Sequence, residues 1–262
     1  MSIIPKILRR PTRPRDGSMT LIQHLEELRH RLVLAFGAIF LGAIAGWFLY
    51  PPVIRLLQDP YCQTITALPT ENRPDFGGDG CAFVFNGAVD GALLKFKVVI
   101  FLGLIIALPI VLYQLWKFIV PGLTKRERRM SVPFIGSATA LFLFGVFLAY
   151  VTLPKALEFL LGFAGEGFVP LLTGDKYLSF FIFVSLSFGL AFEFPILLIF
   201  LTSVGVLTSR QLRDARRYAV LGIAVFAAVL TPSQDPYTML GMMIPMVIFY
   251  EVAIIVARLM KR

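Results

Sequence analysis

Imidazole, thiol and acid are all scarce in this chain. Its 262 residues hold two histidines, two cysteines and only sixteen aspartates and glutamates. Both histidines fall within the short segment from His24 to His30. Glu27-x-x-His30 looks like half of a di-metal carboxylate site, but such sites need a matching half from another helix and no second Glu-x-x-His exists. A zinc-peptidase motif, a phosphate-cradling glycine loop and a nucleophile elbow are all missing. The sequence therefore predicts no catalytic residues, no metal site and no cofactor. Two cysteines without a nearby histidine are a poor zinc site as well.

Long apolar runs are what the chain has in abundance. It is 57% hydrophobic and only 16% charged, more apolar than a soluble domain of this length needs for a core. Six stretches carry the excess: 32–50, 98–113, 132–153, 178–203, 218–230 and 239–257. A hydrocarbon layer ~30 Å thick takes about 20 helical residues at ~1.5 Å each. The first, third and fourth are long enough alone. The second needs residues 89–97, where Lys95 and Lys97 can snorkel to an interface. The fold predicted is all-α and polytopic, with six transmembrane helices of which the last two are short.

The basic residues alternate with these stretches. Seven lie in the tail up to Arg31, five in 117–129, four in 210–217 and three after the last stretch, nineteen in all. The intervening loops hold four: Arg55, Arg73, Lys155 and Lys176. By the positive-inside rule both termini are cytoplasmic. The net charge of +9 is thus a topology signal, scattered over separate loops with no nucleic-acid-binding motif. The first apolar run lacks a small-residue cleavage site, which predicts no cleavable signal peptide. Residues 1–17 read as a disordered basic tail near anionic lipid, and 18–262 as a single membrane domain.

Residues 218–230 and 239–257 flank Thr231-Pro232-Ser233-Gln234-Asp235-Pro236, a helix-stopping turn. They read as short spans in preference to a re-entrant hairpin, although charge counting fits both. Cys62 and Cys81 both lie in 51–88, read as an outer loop, where a disulfide or two free thiols are open. Gly42-x-x-x-Gly46 reads as a close approach of helices, and less readily as a dimerisation face.

Five acids stand out. In 20–32, Leu21, Leu25, Leu28 and Leu32 form an apolar stripe, Thr20-x-x-Gln23 a capping box, and Glu26 and Glu27 precede His30 and Arg31 by one turn. Glu127 is the one acid among five bases in the 117–129 loop. Glu193 lies deep in the fourth stretch, where a carboxyl group costs several kcal/mol unless protonated, paired or wetted. It reads as neutral, facing the bundle interior or a partner helix. Glu251, nearer the inner surface, reads as snorkelling. A proton-coupled small-molecule transporter using Glu193 is the competing function, weakened by the absence of an internal repeat.

Across nearly its whole length the sequence resembles the TatC family, the multispanning receptor subunit of the twin-arginine protein translocase. The pieces carrying the resemblance are His24-Leu-x-Glu-Leu-Arg29, Tyr113-Gln-x-Trp-x-Phe118, Pro121-Gly-Leu123, Glu127-Arg-Arg129, Phe188-Gly-x-x-Phe-Glu-x-Pro195, and Thr231-Pro232 with Asp235 nearby. One departure is that Ser233-Gln234 intervene where many relatives have an acid directly after a proline pair. The resemblance implies a protein of the bacterial cytoplasmic membrane that binds twin-arginine signal peptides of folded cargo at its cytoplasmic face. It implies signal-peptide contacts by Glu27, Glu127, Phe118, Arg29 and Pro121, and intramembrane polar or partner contacts by Glu193 and Asp235. Single-span TatA- and TatB-type partners, an oligomeric complex and export driven by the proton-motive force are implied too.

Overall fold

The structure, a computed structural model, describes residues 21–67, 83–119, 131–162, 172–231 and 235–260. They form seven helices: α1 (Leu21–Ala67), α2 (Asp90–Ile119), α3 (Ser131–Gly162), α4 (Gly174–Val204), α5 (Ser209–Asp214), α6 (Arg216–Leu230) and α7 (Pro236–Leu259). Among the described residues five helices are long and apolar enough to cross a membrane, namely α1, α2, α3, α4 and α7. The 15 residues of α6 give about 22 Å of helix at ~1.5 Å per residue. Two compact units result. One gathers the described residues up to Phe48 with Val99–Thr139, the other Leu49–Val98 with those from Ala140 onward.

In the first unit, α1 meets α2 where both are stripped to glycine. A Cβ placed on Gly42 would lie 2.5 Å from the Gly103 carbonyl oxygen, and one on Gly103 would lie 2.7 Å from the Ala43 nitrogen. Apolar side chains gain nothing from leaving lipid for protein, so helices in a bilayer hold together by close van der Waals contact. Glycine permits it here, and the Gly42-x-x-x-Gly46 motif is spent within the chain. Of the leucine stripe, Leu25 and Leu32 are exposed, as Ile22 is, while Glu27, Gly42 and Gly46 are buried. In a membrane protein the apolar face turns outward and the polar and small residues turn in.

The second unit is built on α4. Tyr177, Phe181, Val184, Phe188, Phe192 and Ile196 recur every three or four residues along it, all buried. Phe188 and Phe192 join Met242, Met246 and Tyr250 of α7 in one core cluster. Phe192 meets Phe249 edge-on with ring centroids 5.4 Å apart. Gly205 ends α4 in the left-handed conformation (φ 86°), with its N–H bonded to Thr202 O and that of Val206 to Leu201 O. The α5 start carries a capping box, with Gln211 N donating to Thr208 Oγ1 and Thr208 N to Gln211 Oε1.

Residues 51–67, read from sequence as part of an outer loop, are helical through Pro51, Pro52 and Pro60. Each internal proline leaves the carbonyl four residues earlier without its helical donor. For Pro60 that carbonyl belongs to Leu56, and the Tyr150 hydroxyl donates to it at 3.1 Å. The Tyr177 hydroxyl donates to the neighbouring Leu57 carbonyl at 2.7 Å. Leu57, Tyr61 and Ile65, spaced at four, bury this continuation. Phe83 packs against Tyr61 and Tyr177, at 5.3 and 5.7 Å between centroids. Cys62 is disulfide-bonded, and Cys81 lies outside the described residues.

Two residues read from sequence as snorkelling, Lys97 and Glu251, are ion-paired. Lys97 Nζ pairs with Asp175 Oδ1 at 2.6 Å and donates to Ser179 Oγ at 3.0 Å. Glu251 pairs with Arg216 of α6 at 2.7 Å, tying α6 to α7. Asp235 is fully buried as the N-cap of α7, its Oδ1 accepting from Thr238 N at 2.8 Å with Pro236 at the first helical position.

Two substitutions check these assignments. Gly103→Val places a branched side chain against the α1 backbone and should destabilise by about 1–3 kcal/mol, the usual cost of overpacking. That is read as a lowered unfolding midpoint in detergent, with Gly37→Val, which meets open space, as the silent control. Asp235→Ala should cost roughly 0.5–2 kcal/mol by loss of the cap, and Asp235→Asn much less, in the same measurement.

Candidate functional site

The first unit brings together the end of α2 and the opening turns of α1. His24 stacks on Phe118, with ring centroids 4.4 Å apart and planes 22° from parallel. Glu27 follows His24 by three residues, nearly one helical turn, on the same side of α1. Its 5% exposure makes it an unusual surface-helix acid. The carboxylate is held by Arg31, whose Nε donates to Oε1 at 3.1 Å and whose Nη2 contacts the same oxygen more closely. This is the one-turn pairing that the sequence spacing predicts. The other oxygen, Oε2, is buried with no hydrogen-bond partner among the described residues.

Aromatic rings surround this end of α2. Trp116 is buried against Phe134 of α3 at 4.3 Å, and Lys117 lies over the Tyr113 ring at 4.6 Å. The sequence pattern Tyr113-Gln-x-Trp-x-Phe118 thus supplies three different ring contacts in one helical stretch. Arg29 is exposed. Glu127 and Pro121 lie outside the described residues, so of the five signal-peptide positions inferred from sequence the structure places Glu27, Phe118 and Arg29.

His24 is the neighbour that sequence reasoning left out. Its signal was in the sequence, because His24 lies three residues before Glu27, where a helix brings side chains together.

The remaining acids lie in the second unit. Glu193 Oε1, on α4, is buried and has no hydrogen-bond partner among the described residues. It is flanked by Phe192, wholly inside, and by Phe194, which is exposed. Asp235 is engaged in capping α7, which accounts for its burial without a ligand.

Chemically, the first-unit cluster offers a recessed, partly compensated carboxylate beside aromatic surface. Such a place suits a planar cation that can donate hydrogen bonds and lie on a ring.

Residues 23–245 match the family described as "Sec-independent protein translocase protein (TatC)". A protein of that name from Frankia casuarinae is 40% identical over 257 residues, spanning 97% of this chain and 70% of the relative. The one from Aquifex aeolicus is 34% identical over 253 residues, spanning 93% and 97%. A crystal structure described as "Twin Arginine Translocase Receptor- TatC" superposes with a TM-score of 0.69 at 32% identity, covering 91% of this chain and all of that one. The long apolar helices, the ordered motifs and these matches agree: the chain belongs to the TatC family of Sec-independent protein translocase proteins.

Proposed function

We propose that this protein is the receptor for twin-arginine signal peptides, and that Glu27 and Glu127 receive the two arginines at the cytoplasmic face of a bacterial inner membrane. The observation that carries this reading is the Glu27 carboxylate, buried beside the His24–Phe118 stack with Oε2 lacking a donor. A guanidinium can supply that donor with a charge-assisted bond, which contributes roughly 1.5–3 kcal/mol. Glu127 offers a second carboxylate in a loop otherwise basic, so a paired cation is favoured over isolated ones. Phe118, Arg29 and Pro121 border the peptide in this reading.

The topology proposed has six spans with both termini cytoplasmic. It counts α6 as a short span beside α7 and follows the nineteen-to-four distribution of basic residues. Recruitment of single-span TatA- and TatB-type partners, and export driven by the proton-motive force, complete the proposal. Glu193 supports a polar contact with a partner's helix, because Oε1 is buried on α4 without a donor. The same oxygen is what a proton-coupled transporter would use. Solute flux through liposomes holding this chain alone would favour that second reading, and an absence of flux the receptor.

Glu27→Ala and Glu127→Ala should each abolish export of a twin-arginine reporter, with membrane insertion intact when measured by fractionation. Normal export by both variants would remove the assignment. Glu193→Gln should keep most of the export activity, because a neutral amide preserves the polar contact. An inactive but folded Glu193→Gln would show instead that ionisation at this position is required.

A further inference from the structure

The Glu27–Arg31 pair is asymmetric. Both contacts from the arginine fall on Oε1 and none on Oε2, which stays buried and undonated among the described residues. A guanidinium free to choose takes both carboxylate oxygens through two parallel N–H bonds. Arg31, one turn along the same helix, contacts only one of them. The pair is also no ordinary surface bridge, since the side chains are 12% and 7% exposed. Charges sheltered in this way are screened much less than exposed ones.

We propose that Arg31 is a specificity-determining positioning residue: it cancels the charge of Glu27 and leaves Oε2 as a directional acceptor, so the site selects guanidinium over ammonium by geometry. The inference rests on the receptor reading above and names what sets its selectivity. A bare carboxylate attracts any cation, and a lysine ammonium as readily as an arginine. A carboxylate already neutralised offers little net attraction. What remains is one hydrogen-bonding direction, which rewards a donor that sheds water easily and arrives in a fixed plane.

Arginine meets both conditions, being weakly hydrated and planar, whereas the lysine ammonium is a compact, strongly hydrated point charge. The stacked His24 and Phe118 rings, on the Glu27 side of α1, add a surface on which a guanidinium plane can rest. Without Arg31 the site would become a net negative charge and would treat the two cations more alike.

The test uses the full chain in nanodiscs and measures the affinities of a twin-arginine peptide and its twin-lysine counterpart. Arg31→Gln should still bind the twin-arginine peptide and should narrow the arginine-over-lysine ratio by about threefold or more, as expected when charge replaces geometry as the basis of choice. Arg31→Lys keeps the counter-charge and should hold the ratio within about twofold of the wild type. It decides the matter if Arg31→Gln does not fold, as judged by circular dichroism. An unchanged ratio in folded Arg31→Gln, or a collapsed ratio in Arg31→Lys, overturns the proposal. A purely structural role for Arg31 would lower both affinities together and leave the ratio alone, which overturns it too. These outcomes are separable from failure of the receptor reading. Only that failure predicts a wild-type protein that does not bind the twin-arginine peptide, or that binds it equally after Glu27→Gln.

Discussion

Inside a membrane a polar group cannot turn to water, so each one withdrawn from solvent has to find its partner within the protein. That constraint organises the helices seen here. The Leu56 carbonyl released by Pro60 takes the Tyr150 hydroxyl, and Asp235 caps α7. Each of these ties one element to another, or fixes where an element begins. The close backbone approach at Gly42 and Gly103 serves the same end by another route, supplying the contact that the hydrophobic effect does not provide in lipid.

Exceptions to the constraint are then informative. Among the described residues three buried side-chain atoms have no partner: Glu27 Oε2, Ser185 Oγ and Glu193 Oε1. A serine hydroxyl left unpaired is a small cost. Two carboxyl oxygens are a large one, and selection does not ordinarily leave them without a use. The proposed receptor function gives each a donor that arrives from outside the chain: a guanidinium for Glu27 and a partner helix for Glu193.

Much of the architecture could be read from sequence because hydropathy in a membrane protein is nearly a map of its helices. The stretches 98–113, 132–153, 178–203 and 239–257 all fall within helices that extend several residues beyond them. The stretch 218–230 matches α6 almost residue for residue. The misreading came at 51–67, read as part of an outer loop although α1 runs on through Pro51, Pro52 and Pro60. Proline removes a helical donor and crowds the carbonyl four residues earlier, and at least one of these carbonyls takes a tyrosine hydroxyl in its place. That tyrosine lies 94 residues away in sequence, so local propensity could not reveal it. The Leu57, Tyr61, Ile65 spacing could have, since it continues a helical period past the prolines. Glu27 and its pairing with Arg31 were legible from one-turn spacing, whereas the burial of Glu27 was not. Burial depends on tertiary packing, which single-helix patterns do not encode.

The central claim is that one short peptide engages the carboxylates of Glu27 and Glu127 together on the cytoplasmic side. Photo-crosslinking a twin-arginine signal peptide to probes placed at positions 27 and 127, in inverted membrane vesicles, tests it most directly. The account predicts that both probes capture the peptide at or beside its arginine pair, and that a twin-lysine peptide competes poorly. Capture by neither probe, or capture by one alone with the other reachable only from the opposite face of the membrane, would contradict it.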